Sequence, residues 1–185
     1  MYLFIHAAER EYAYLLLVGK SMPRTTMRGK ELLEFLTFGD LVVYTKYLVY
    51  RGKKSPDVLR GIDDLLNQFG LAAKSLKGIC VLSGPGQFSF LRTSVVTANT
   101  FGWALNIPVV GICDKKMVSG SKKMVSGTIS EEIEPDTIFS DTIFSHNTIL
   151  FITRGLKKLS RTKRFRPVVP EYGREPNITT PKKRI

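Results

Sequence analysis

Cysteine is nearly absent, with only Cys80 and Cys113 among 185 residues. Both fall at the ends of apolar stretches, so reduced core thiols are expected rather than a disulfide framework or a thiolate metal site. Two histidines cannot build a histidine-rich ligand cluster, and His6 has no partnered nucleophile or acid nearby in sequence. It is expected to be structural rather than a general base. Uninterrupted apolar runs of roughly 18 residues are missing, which excludes a membrane-spanning helix of the usual kind. The N-terminus shows no cationic lead before an apolar run, so no secretory signal and a cytoplasmic location are expected. Neither a G-x-x-x-x-G-K-[ST] loop nor a G-x-G-x-x-G turn occurs, which leaves out the Walker and dinucleotide fingerprints. No carboxylate pair, nucleophile–base pair or ligand cluster is visible, so no catalytic residue, metal or cofactor is assigned.

What is present centres on Lys77 to Ile112. Ile79–Leu82 is a short apolar run, ended by Ser83-Gly84-Pro85-Gly86, and predicts a buried strand running into a tight turn. Phe88 to Leu105 predicts a helix with apolar residues on nearly every side, which needs cover from more than its own sheet. Asn106 and Pro108 stop it, and Val109, Val110 and Ile112 open the next buried strand. The whole reads as a βαβ unit. A glycine turn leading into a helix N-terminus suits an anion, because free N–H groups and the helix dipole point at it. Strand-to-helix turns are glycine-rich for structural reasons as well.

At these residues the chain resembles the TsaB (YeaZ) family, the non-catalytic partner subunits of bacterial tRNA threonylcarbamoyladenosine synthesis. Gly84, Pro85, Gly86, Phe88, Leu91 and Arg92 match the family's G-P-G-S-F-T-G-[LV]-R-I-G segment, and Ile107, Pro108, Val110 and Gly111 match its following strand. Pro170 to Ile178 resembles the family's P-x-Y-x-R-x-P ending. The resemblance implies an RNase H-like α/β lobe of the actin, Hsp70 and sugar-kinase superfold. It also implies dimerisation with a TsaD-like catalytic subunit through two helices, help from a TsaE-like ATPase, and tRNA reached through the complex. Interface residues implied are Leu59, Ile62, Leu66, Leu91, Val95, Asn99 and Trp103, with Gly84, Pro85, Gly86, Phe88 and Arg92 forming the motif loop. A homodimer through the same helices is expected when the partner is absent.

The chain departs from the family in places. His6-Ala7-Ala8 stands where the superfold's first strand ends in an acidic residue, so no carboxylate is there to position Mg²⁺. Gln87, Ser89, Phe90 and Thr93-Ser94 replace the usual loop residues. Phe90 is expected to crowd the turn against a bound nucleotide. Arg92 is left with two uses, pairing with a phosphate or partner carboxylate or bracing the turn.

Elsewhere, Tyr2–Ala8 and Tyr12–Val18 predict a β-hairpin. Lys30–Phe38 is expected to be a short helix or part of an insert, and Asp40–Arg51 a strand. Ser55 to Gly70 predicts a helix capped by Ser55, with Pro56 in its first position and a stripe of Val58, Leu59, Ile62, Leu65, Leu66 and Phe69. After Ile112 the resemblance fails. KKMVSG at Lys115–Gly120 recurs at Lys122–Gly127, and DTIFS at Asp136–Ser140 recurs at once. These are local duplications, expected to be weakly packed, followed by Thr148–Thr153 as a strand and Gly155–Ser160 as a turn or short helix. The expected division is an N-terminal lobe over 1–113, the repetitive segment over 114–146, and over 147–185 the remnant of a shortened, irregular second half with a basic tail.

Charge is uneven as well as high. The formal net charge is +12, and no acidic residue lies between Asp141 and Glu171. Lys157, Lys158, Arg161, Lys163, Arg164 and Arg166 crowd that stretch and are candidate RNA contacts, against the plainer use as a solvated face. The alternatives to a TsaD-binding scaffold are a basic RNA-binding module, a degenerate paralogue without TsaD binding, and a nucleotide-binding enzyme of the same superfold.

Overall fold

The computed structural model describes residues 1–7, 12–20, 34–38, 41–49, 57–113 and 146–172. Its strands are β1 (Tyr2–His6), β2 (Tyr12–Gly19), β3 (Glu34–Phe38), β4 (Leu41–Val49), β5 (Ile79–Gly84) and β6 (Val109–Cys113). Its helices are α1 (Val58–Gln68), α2 (Phe88–Leu105) and α3 (His146–Arg161). The strands form one sheet in the order β3-β4-β2-β1-β5-β6. β1, β2, β4 and β3 pair antiparallel, and β1, β5 and β6 pair parallel. Without the short edge strand β3, this is the mixed five-strand order of the RNase H-like fold.

Alternation along the strands sorts their side chains onto two faces. Leu3, Ile5, Leu15, Leu17, Ile79 and Val81 join one buried cluster with α1 residues and with Val95 and Ala98 of α2. Phe4, Tyr14, Leu16, Cys80, Leu82, Val110 and Ile112 join the other with Phe151 and Leu159 of α3. Strands buried on both faces read as continuous apolar runs, as β1, β2 and β5 do. Gly155 brings α3 close to the sheet, since a Cβ there would lie 2.6 Å from the Cys80 sulfur.

Three helix ends follow from local chemistry. Asp57, not Ser55, is the N-cap of α1, its carboxylate accepting from the Arg60 N–H at 3.0 Å. Ser55 and Pro56 lie outside the described residues. At the other end Gly70 takes φ 59°, and the Leu71 and Gly70 N–H groups donate to Leu66 and Asn67 carbonyls. This is a Schellman ending, which needs a residue comfortable at positive φ. Asn106, at φ 53°, closes α2 in the same way, with the Ile107 N–H on the Gly102 carbonyl.

Two sequence expectations are corrected. Lys30–Phe38 does not hold a helix over its last five residues; Glu34–Phe38 is a strand paired with β4, with Phe38 opposite Leu41. The Gly39-Asp40 dipeptide between them is of the kind two-residue hairpins favour. Thr148–Thr153 is helical rather than a strand, and Gly155–Ser160 continues the same helix. Thr148, Phe151, Gly155 and Leu159 are buried at helical spacing, a period longer than a hexapeptide can display. The duplicated KKMVSG and DTIFS segments and the hairpin loop after Ala7 lie outside the described residues.

Candidate functional site

The turn between β5 and α2 is built around Gly84, whose φ of 148° disfavours any side chain. A Cβ at Gly84 would collide with the Glu171 backbone, and the Glu171 N–H donates to the Ser83 carbonyl at 2.6 Å. The close approach that this glycine permits is thus taken by the chain itself. Residues 162–172 form a strap leading from the end of α3 to the start of α2. Asn99 clamps it from α2, donating to the Val168 carbonyl and accepting from the Val168 N–H, both at 2.9 Å. Phe165 sits over Gly102, Val168 over Gly111, and Tyr172 stacks on Phe88 with ring centroids 4.5 Å apart. The glycine loop and the P-x-Y segment, 85 residues apart in sequence, therefore form one structure.

The side chains around this turn differ in part from expectation. Phe90 faces the interior and does not stand over the turn; Phe88 holds that place, half-exposed against Tyr172. Pro85 and Gly86 are half-buried in the turn. Arg92 is exposed one turn into α2 and, among the described residues, has no hydrogen-bond or ion-pair partner. It does not brace the turn's carbonyls.

The seven residues named for a partner interface divide by burial. Ile62, Leu91 and Val95 are buried in the chain's own core, and Leu66 reaches the surface only at the floor of a groove. Helical spacing identified their stripe, but spacing alone does not tell the sheet-facing side from the outer one. Asn99 is occupied by the strap. Leu59 and Trp103 are exposed, Trp103 to 73%. Val96, which the sequence did not single out, is 56% exposed and lies seven residues before Trp103 on the same side of α2. On one flank of this face runs the strap; on the other, Phe101 borders a groove of about 610 Å³ with Leu59, Leu66 and Leu71, rimmed by Asp57 and Asp63.

His6 ends β1 where the superfold would carry an acid. Its ring stacks on Tyr14 at 4.2 Å and meets Phe151 edge-on at 5.6 Å, and Nδ1 has no hydrogen-bond partner. Burial lowers its pKa from 6.5 to about 3, so it is neutral at pH 7. Burial also pushes the Cys80 thiol up, out of nucleophilic range. Among the described residues no group of three His, Cys, Asp or Glu side chains could hold a metal, and no helix is long and apolar enough to cross a membrane. On the far side of the sheet, Lys157 and Arg161 of α3 are exposed and Lys158 donates to the Gly111 carbonyl at 2.8 Å; Lys163, Arg164 and Arg166 are exposed on the strap as it passes toward α2.

Comparison with known proteins agrees with the motif. A family model described as TsaD, tRNA N6-adenosine threonylcarbamoyltransferase, matches residues 55–130. The tRNA threonylcarbamoyladenosine biosynthesis protein TsaB of Bacillus subtilis is 29% identical over 89 residues, 48% of this chain and 39% of that protein. An uncharacterised protein of Mycobacterium tuberculosis is 35% identical over 66 residues, 36% of this chain and 29% of that one. The matched segment thus spans less than half the length of these curated relatives. Among solved structures, YeaZ from Pseudomonas aeruginosa is similar at 18% identity with a TM-score of 0.47, over 65% of this chain and 46% of that one.

Two predictions follow from this geometry. Asn99→Ala removes both bonds to Val168, each worth about 1 kcal/mol. Tryptic cleavage after the exposed Arg164 should then speed up by as much as about thirtyfold with the circular dichroism unchanged; an unaltered cleavage rate would show that Asn99 does not hold the strap. For His6, the folded pKa lies below the unfolded one, so its contribution to stability is complete above pH 6.5 and is lost as pH falls towards about 3. Urea unfolding should show roughly 2 kcal/mol lost through this group by pH 5, a loss absent in His6→Phe. Equal pH profiles for the two proteins would contradict the burial of a neutral imidazole.

Proposed function

We propose, from the motif resemblance and the similarity to TsaB of Bacillus subtilis, that the chain is a TsaB-like, non-catalytic subunit supporting threonylcarbamoyladenosine synthesis on tRNA. In this role it docks a TsaD-like enzyme through the outer face of α2 and the neighbouring end of α1. A TsaE-like ATPase assists the complex, tRNA is modified at the TsaD-like subunit, and in its absence the same face pairs with a second copy of this chain.

The supporting observation is the exposure of Val96, Trp103 and Leu59 on two adjacent helices whose inner sides are already satisfied by the sheet. Tryptophans that become buried on binding are the usual anchors of protein interfaces, and Trp103, exposed on the free chain, is suited to that part. Arg92, exposed on the same helix, is placed to pair with a partner carboxylate. The strap fills the close approach at Gly84, which favours docking over an independent nucleotide-binding activity at this loop.

The test is co-purification with the TsaD-like protein of the same genome. Wild type should give a stoichiometric complex. Trp103→Ala should weaken it at least thirtyfold, the effect of about 2 kcal/mol at an anchor, and Val96→Glu should abolish it. Both residues are exposed, so both variants should keep the wild-type melting temperature within a few degrees. A wild-type chain that forms no complex, or variants that bind as well as wild type, would overturn the proposal.

A further inference from the structure

We infer that the outer side of α3 and the first half of the strap form a binding surface for the sugar–phosphate backbone of RNA. The surface begins with Lys157 and Arg161, one helical turn apart on the exposed side of α3. It continues through Lys163, Arg164 and Arg166, all exposed on the strap. Among the described residues, none of these five side chains has a hydrogen-bond or ion-pair partner, and no carboxylate occurs between positions 146 and 170 to neutralise them. Lys158 adds a sixth charge whose position is fixed by the Gly111 carbonyl.

Like charges three and four residues apart on a helix repel. The helix dipole compensates for cations in the last turn of α3, but not for the three on the strap. An uncompensated run of this kind is suited to an external polyanion. From Lys157 to Arg166 the chain covers on the order of 20 Å, helix then extended. A nucleic acid duplex presents a negative charge about every 1.7 Å of its axis, so several phosphates fall within reach together.

The partner class follows from what lies beside the cations. An interfacial helix that binds lipid needs an apolar side to insert, whereas Phe151, Gly155 and Leu159 of α3 are spent on the sheet. α3 itself therefore offers cations without an apolar side, and the exposed Val169 lies beyond them on the second half of the strap, an arrangement that fits a phosphate backbone. Choosing tRNA among RNAs rests on the proposed function; the phosphate-binding surface does not. Lys157 and Arg161 lie across the sheet from Val96 and Trp103, since α3 and α2 pack on its opposite faces. At the α3 half of the surface, RNA and a protein partner can then be held at the same time.

The full chain, titrated against fluorescently labelled bulk tRNA by anisotropy, tests this directly. Five phosphate contacts give a slope of log K against log salt of about −3.5 to −4.5, a loss of roughly 100- to 500-fold between 50 and 200 mM salt. Lys157→Glu with Arg161→Glu should weaken binding more than tenfold and flatten the slope by about two, without changing co-purification with the TsaD-like protein. Lys163→Glu with Arg164→Glu provides a second, independent variant should the first disturb α3. Unchanged tRNA affinity in the folded variants would overturn the inference. So would binding to phosphatidylserine–phosphatidylcholine vesicles that matches or exceeds tRNA binding at equal salt. Loss of tRNA binding in the variants upholds it even where the wild-type chain fails to capture the TsaD-like protein.

Discussion

The burial of β1, β2 and β5 on both faces is the constraint from which the rest of the molecule follows. Leu3 and Ile5 look one way and Phe4 the other, and the same division runs through β2 and β5. Such a sheet is unstable in water unless both sides are covered. α1 and α2 cover one side and α3 the other, and each covering helix keeps an outer surface. The outer surface of α2 is apolar at Val96 and Trp103, and that of α3 is cationic at Lys157 and Arg161. The fold thus separates two chemically different surfaces by the thickness of a sheet.

The strap gives the second level of organisation. It begins at the end of α3 and finishes on the turn before α2, held by Asn99, by the Ser83 carbonyl and by the Phe88–Tyr172 stack. Gly84, Gly102 and Gly111 matter here because each leaves room that strap residues occupy. In a nucleotide-binding relative of this fold, a glycine turn before a helix would offer its N–H groups to phosphate. Here the neighbouring space is filled from within, and the first strand ends in a buried neutral histidine rather than a carboxylate. Both features leave little room for a nucleotide at this turn.

Much of this was legible in the sequence, and the failures have identifiable causes. The β5–α2–β6 unit was readable because Gly84-Pro85-Gly86 and Asn106-Ile107-Pro108 punctuate it sharply, and local chemistry decides such boundaries. Thr148–Thr153 of α3 reads as a strand because TILFIT is rich in β-branched residues and its helical period emerges only when Gly155 and Leu159 are included. The strand at Glu34–Phe38 lost to a helical reading because Leu32, Leu33, Phe35 and Leu36 carry no clear period. The residues expected at an interface mix the two sides of α1 and α2. Ile62, Leu66, Leu91 and Val95 are as apolar as Val96, and only the sheet's position tells which of them are already covered. The bond between Asn99 and Val168 joins positions 69 residues apart, a pairing no local pattern encodes.

The central claim is that a partner protein occupies the outer face of α2 while the far side of the sheet stays free for another ligand. Hydrogen exchange of the chain alone and with the TsaD-like protein addresses both halves at once. The account predicts slower exchange in peptides covering α1 and α2, with peptides covering α3 exchanging as they do in the free chain. Protection confined to α3, or spread equally over both sides of the sheet, would contradict it.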